Sequence, residues 1–302
     1  MMAVHSWQRK PLKLARRTAW KLRPPTLALG GGGARGFAHI GVLLELDHAG
    51  LPVRAIAGTS MGAVVGAMYA GLGSAKEVYE RWQQTLERNL IPDAPRSKRN
   101  TGDRLSENPL IQAARKFRNR LVVSFALHKT TMLDYEPLIK ALEFLLPEVT
   151  LESLRPQFMA VATNLESGEE TRLFEGPLRH IIQASSAIPG VFPSVEIEGS
   201  PLVDGGVAAE VPVLAARSMG LPVMAVDVSI NIPPLSDDDI ALDTMTRGQT
   251  MTARLLRQHH LDHARWVLRP QVGDTVWSDW QAFDDLVECG RTAMRSWLDG
   301  ES

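Results

Sequence analysis

From residue 26 onward, apolar residues come in two alternating rhythms. Thr26-Leu-Ala-Leu-Gly30 is a short apolar run closed by glycines, and Ala55-Ile-Ala57 is a second. Phe37 to His48 and Met61 to Leu72 carry the longer spacing of helices. Short apolar runs without polar alternation predict strands covered on both faces, and their alternation with helices predicts a parallel α/β sheet. The same reading predicts strands at Gln157–Thr163, Leu202–Val203, Val223–Ser229 and Trp266–Arg269. Helices are expected around Pro177–Ser185 and Val211–Met219, with a terminal helix from Trp280 to Leu298. No internal repeat or low-complexity tract interrupts the pattern.

Composition narrows the class. The 302 residues include 33 Lys and Arg against 34 Asp and Glu, and 44% are hydrophobic. This fits a soluble globular protein with a sizeable core and excludes disorder. The single cysteine, Cys289, excludes an intramolecular disulfide and fits a reducing compartment. No apolar run of about 18 residues occurs, so no transmembrane helix is expected. The basic start lacks a following apolar stretch, which argues against a secretory signal. A cytoplasmic protein is the expectation, with a peripheral place on the inner membrane face as its variant.

Residues 1–25 hold Arg9, Lys10, Lys13, Arg16, Arg17, Lys21 and Arg23 and no acidic residue. Without them the chain has 26 basic and 34 acidic residues, a net −8. Pro11 and Pro24 bracket a candidate helix, with Leu12, Ala15, Ala19 and Leu22 on one face and Lys13, Arg17 and Lys21 on another. Such a helix suits an anionic membrane surface. A solvated basic tail is the commoner use of such a segment and is preferred. Residues 93–131 are also basic, with Leu110, Ala114, Phe117 and Leu121 at helical spacing. Here an ordinary surface helix is preferred over a cover above a site. The expected organisation is a basic segment at 1–25, a catalytic domain at 26–230 that contains 93–131, and a helical extension at 231–302 packed on the same domain.

Candidate chemistry lies in three glycine-flanked motifs. Gly58-Thr-Ser60-Met-Gly62 is a G-x-S-x-G pattern between a predicted strand and a predicted helix. That turn is tight, so small residues flank the serine, and the following helix directs partial positive charge at its hydroxyl. The second motif, Gly30-Gly31-Gly32-Gly33-Ala34-Arg35-Gly36, exposes successive backbone amides. A dinucleotide reading needs an acidic residue about 20 positions later. None occurs between Asp47 and Glu77, so an oxyanion hole is preferred. The third is Asp204-Gly205-Gly206 after a short strand, a turn expected to hold a carboxylate without burying it. Taken alone, a plain turn aspartate is the preferred reading there.

The rival candidates are weaker. His259, His260 and His263 lie in a polar, Arg-rich helical stretch, read as a solvated face rather than a triad base or metal site. His39 is assigned to packing. Asp237, Asp238 and Asp239 read as an exposed acidic loop rather than a calcium site.

The three motifs in this order resemble the patatin-like phospholipase family. Ala162-Thr-Asn-Leu165, Ala184 to Gly190 and Arg269-Pro-Gln271 are similar to bacterial members. The resemblance spans about residues 26–298 and implies a three-layer α/β/α fold with a mainly parallel central sheet. It implies a Ser–Asp dyad, with Ser60 as nucleophile, Asp204 as proton acceptor and Gly31 to Gly36 as the oxyanion hole. Gly58, Gly62, Gly205 and Gly206 support the turns. It further implies a lipid or acyl-ester substrate, an acyl-enzyme, no metal and no organic cofactor. Acyl transfer or thioesterase action on the same dyad is the alternative, and a non-catalytic membrane adaptor the second. No nucleic-acid partner is expected, and the sequence leaves oligomeric state open. Ala209-Glu210 stand where bacterial relatives commonly carry Asn-Pro, a departure that bears on how the Asp204 loop is held.

Overall fold

A computed structural model describes residues 16–91, 135–230 and 241–301. The basic stretch at 93–131, Leu12, Lys13, Ala15 and the acidic run Asp237 to Asp239 fall outside those residues.

The apolar runs form the strands expected of them. They are β1 (Thr26–Leu29), β2 (Ala55–Thr59), β3 (Gln157–Asn164), β6 (Ser200–Asp204), β7 (Val223–Val226) and β8 (Trp266–Leu268). Two further strands do not announce themselves: β4 (Glu170–Leu173) is mostly polar, and β5 (Val195–Ile197) is only three residues long. The order is β5-β6-β3-β2-β1-β7-β8, with β4 pairing β3. The run β3-β2-β1-β7-β8 is parallel, whereas β4 and β6 are antiparallel to β3, and β5 to β6.

Helices cover both faces, and the sheet residues explain how. Leu27, Leu29, Ile56, Phe158, Met224 and Val226 project to one face. That face packs against α2 (Phe37–His48), α3 (Met61–Leu72), α4 (Ala75–Glu87) and α10 (Phe283–Asp299). Ala28, Ala57, Met159, Val161 and Ala225 project to the other, where the small side chains admit α8 (Val213–Met219). Three layers result. Between these elements lie α5 (Glu136–Leu145), α6 (Leu178–Ser185), α7 (Gly206–Ala209) and α9 (Ala241–Leu261).

The crossing of α2 and α10 is glycine-dependent. A Cβ on Gly290 would collide with the Ala38 carbonyl, and one on Gly41 with the Val287 carbonyl. Gly290→Val is therefore expected to destabilise the fold by about 3 kcal/mol, the upper range for overpacking a close contact. Urea unfolding checks this, and an unchanged midpoint would refute it.

The basic N-terminal stretch corrects one expectation. Residues 16–22 form helix α1, which is docked rather than a solvated tail. Trp20 is fully buried, stacked 6.4 Å from Trp266 and edge-on 5.6 Å from Trp297. Its indole N–H donates to the Pro52 carbonyl at 2.7 Å. Arg16 lies over the Trp297 ring, while Leu22 of the expected apolar face is 82% exposed. The helix feeds the N-terminal end of β1, at the sheet edge opposite the one where the glycine and serine motifs emerge.

Candidate active site

Strand register brings the three motifs together. Leu29 pairs with Gly58, so the glycine loop after β1 and the serine turn after β2 leave the sheet side by side. Thr59, the last residue of β2, pairs with Val161, but β3 runs on to Asn164. Strand β6 returns antiparallel along that overhang and stops at Asp204, opposite Ala162. The carboxylate thus arrives where the chain turns at Ser60.

Ser60 caps α3 with φ 53° and ψ −123°, a conformation that costs a non-glycine residue on the order of 1–3 kcal/mol. The turn is over-determined. A Cβ on Gly62 would strike the carbonyls of Leu29 and Gly30. The Ser60 amide donates to Ser185 Oγ at 3.1 Å, and that hydroxyl donates to the Val161 carbonyl at 2.6 Å. The Ser60 hydroxyl is within hydrogen-bonding reach of the Asp204 carboxyl.

Asp204 overturns the expectation of an unburied carboxylate: it is only 6% exposed. Its strand is sandwiched between β3 and β5, and its amide donates to the Ala187 carbonyl at 2.9 Å. Burial pushes the carboxyl up to about 6, against hydrogen bonds from Ser60 and from the Gly206 amide at 2.7 Å. The departure at Ala209-Glu210 leaves the loop tied down. Thr59 Oγ1 donates to the Ala209 carbonyl at 2.9 Å, and Thr163 Oγ1 to the Asp204 carbonyl at 3.1 Å.

The glycine loop is narrower in its offer than the sequence suggested. The Gly31 amide donates to the Glu210 carbonyl at 2.8 Å, and the Ala34 amide to the Trp277 carbonyl at 2.7 Å. Gly33 to Gly36 form a 3₁₀ turn, which occupies the Arg35 and Gly36 amides. Among the described residues, the Gly32 and Gly33 amides have no partner. The Arg35 side chain turns away from Ser60 to the carbonyls of Val228 at 3.1 Å and Thr275 at 3.3 Å. His39 is fully buried, and burial lowers it to about 4, so it is neutral. Its Nε2–H donates to the Gly30 carbonyl at 2.8 Å and steadies the loop's first residue.

Beside Ser60 opens an apolar pocket lined by Met61, Val64, Leu142, Leu145, Val191 and Phe192, with Gly33 and Ser60 also in its wall. Trp82 and Trp280 also line it, from elements the sequence did not connect to the site. The model of the patatin-like phospholipase family matches residues 27–217, which include all three motifs.

The chain belongs to that family. An uncharacterised NTE family protein of Mycobacterium bovis is 35% identical over 205 residues, 68% of this chain and 48% of that protein. Human patatin-like phospholipase domain-containing protein 6 is 29% identical over 224 residues, 72% of this chain and 14% of that protein. A lysophospholipase of Candida glabrata is 30% identical over 204 residues, 67% of this chain and 10% of that protein. The chain thus spans about half the length of the mycobacterial relative, and far less of the other two. The solved structure of VipD from Legionella pneumophila aligns over 92% of this chain and 67% of that one, with TM-score 0.44 and 16% identity.

In this patatin-like chain, no histidine among the described residues partners Ser60 or Asp204. His259 and His263 are exposed, as a solvated face requires. His260 is not: it is 6% exposed and lines a cleft with Val207 and Ala208 of α7, which corrects the solvated reading for that residue. Arg257 on the same helix is likewise withdrawn from solvent, with a side chain 13% exposed. Among the described residues, no group of three His, Cys, Asp or Glu gathers as a metal cage. None of the described helices is long and apolar enough to cross a membrane.

Proposed function

We propose that this protein is a serine lipid acyl hydrolase that works through a Ser60–Asp204 dyad and an acyl-enzyme. The observation that carries the reading is the meeting of a strained serine at a helix N-terminus with a buried carboxyl in hydrogen-bonding reach. The Gly32 and Gly33 amides, which lack partners among the described residues, lie in the loop beside it. Asp204 takes the proton from Ser60 as Oγ bonds to the ester carbonyl carbon. The carbonyl oxygen becomes an oxyanion that the Gly32 and Gly33 amides stabilise, each donor contributing on the order of 3–4 kcal/mol to the transition state. The C–O bond to the alcohol breaks, and the alcohol leaves with the proton from Asp204. Water then attacks the acyl carbon, gives its proton to Asp204, and releases the acid as Ser60 recovers its own.

The apolar pocket supports an acyl chain as the group held beside Ser60. The name of the Candida relative supports a lysophospholipid as the first substrate to try. A peripheral membrane contact belongs to the same reading, since the substrate resides in or near lipid.

Asp204 sets the pH dependence. A base pushed up to about 6 is protonated below that pH and cannot accept the serine proton. kcat/KM on a lysophospholipid and on a soluble ester is expected to be flat above pH 7 and to fall about tenfold per unit well below 6. Hydrolysis of neither substrate at any pH would overturn the proposal. Release by acyl transfer alone would favour the transferase alternative.

A further inference from the structure

Under the glycine loop lies a cluster of charged side chains that the dyad does not use. Arg257 of α9 places Nη1 2.6 Å from Glu210 Oε2 and Nε 3.8 Å from Asp227 Oδ2. These three side chains are 13%, 22% and 5% exposed. Asp227 follows the last residue of β7, accepts from Ser229 Oγ at 2.6 Å, and meets the more exposed Arg269 at 3.4 Å. A buried pair of this kind seldom repays its desolvation as stability. What it supplies is a fixed geometry.

The geometry it fixes is that of the loop. The Glu210 carbonyl holds the Gly31 amide at 2.8 Å, and a Cβ on Gly31 would lie 3.3 Å from the Ser60 Cβ. On the other side, the Gly30 amide donates to the Val226 carbonyl at 3.1 Å, and Arg35 to the Val228 carbonyl. The loop is therefore slung between the chain after α7 and the chain after β7. Arg257 spans the same two segments from below.

We propose that Arg257 and Glu210 are positioning residues: Arg257 clamps the Glu210 and Asp227 carboxylates, fixing the Glu210 carbonyl that holds Gly31 and so aiming the Gly32 and Gly33 amides beside Ser60. The catalytic consequence rests on the hydrolase reading above; the positioning itself does not. Glu210 faces Arg257, Arg35 and Asp227, and it also acts on Asp204, whose other neighbours are Ser60 and the Gly206 amide. Its negative charge opposes ionisation of Asp204. Neutralising it makes the base easier to ionise.

The test uses the full chain as wild type, Arg257→Gln, Arg257→Lys and Glu210→Gln, each checked for fold by thermal melting. Amide hydrogen exchange at Gly31, read without substrate, is expected to accelerate about tenfold in Arg257→Gln while β1 stays protected. In Arg257→Lys it is expected to lie between, because an ammonium can meet Glu210 but cannot span to Asp227. On a soluble ester, kcat is expected to fall about tenfold in Arg257→Gln with KM within about twofold. Glu210→Gln is expected to move the acidic limb of the pH profile downward. Unchanged Gly31 exchange in folded Arg257→Gln overturns the proposal, as does faster exchange with unchanged kcat. Should Arg257→Gln fail to fold, Arg257→Lys with wild-type exchange and wild-type kcat overturns it equally. A wild type inactive on every ester refutes the hydrolase reading alone, since the exchange measurement stands without it.

Discussion

Replacing Ser60 with Ala is expected to lower kcat/KM on a soluble ester by roughly four orders of magnitude or more, with the fold unchanged. Asp204→Asn should cost nearly as much, because a carboxamide has no acceptor role for the serine proton. The double variant should be scarcely worse than either single one. Nucleophile and base act in one step, and removing either stops it. Labelling by a fluorophosphonate separates the two roles: it should vanish in Ser60→Ala and become very slow in Asp204→Asn. Near-wild-type turnover in a folded Asp204→Asn would refute the dyad. The well-knit surroundings of Asp204, with its amide held by Ala187 and its carbonyl by Thr163, make a folded variant the expectation.

Gly33→Ala should give the second largest loss, about 100-fold in kcat with KM little changed. Gly33 sits at φ 57°, and a Cβ there would strike the Trp277 carbonyl. Relieving that clash moves the loop, and with it one of the two amides that lack partners among the described residues. Gly50, at φ 61° with open space around it, is the control: an alanine there meets the same backbone strain far from Ser60. Steady-state kinetics on the two variants check this, and equal activity would refute the oxyanion assignment for Gly33.

How much of this was legible beforehand follows from which forces act locally. β1, α2, β2 and α3 were readable nearly residue for residue, because uninterrupted apolar runs closed by glycines allow few alternatives. The motifs that meet at Ser60 were readable for the same reason. Asp204 as a buried group was not, since its burial comes from β5 and β3 closing around β6, and β5 is only three residues long. The Gly31 and Ala34 amides looked free because their acceptors, Glu210 and Trp277, are remote in sequence. Arg257 and His260 looked solvated in a helix with so many charged and polar neighbours. Trp20 looked like part of a tail because its partners, Trp266 and Trp297, stand at the other end of the chain.

That last arrangement governs the order in which the chain can become a protein. Trp20 and the Gly41 face of α2 are synthesised about 240 residues ahead of their covers, which belong to β8 and α10. Until residues 283–299 have been made, the tryptophan and the groove at Gly41 stay open to water and to other chains. Contacts of such long range close late and fold slowly. A ribosome-bound chain stalled before Phe283 should therefore hold its parallel strands loosely and engage chaperones, and emergence of α10 should be the event that locks it against Trp20 and α2.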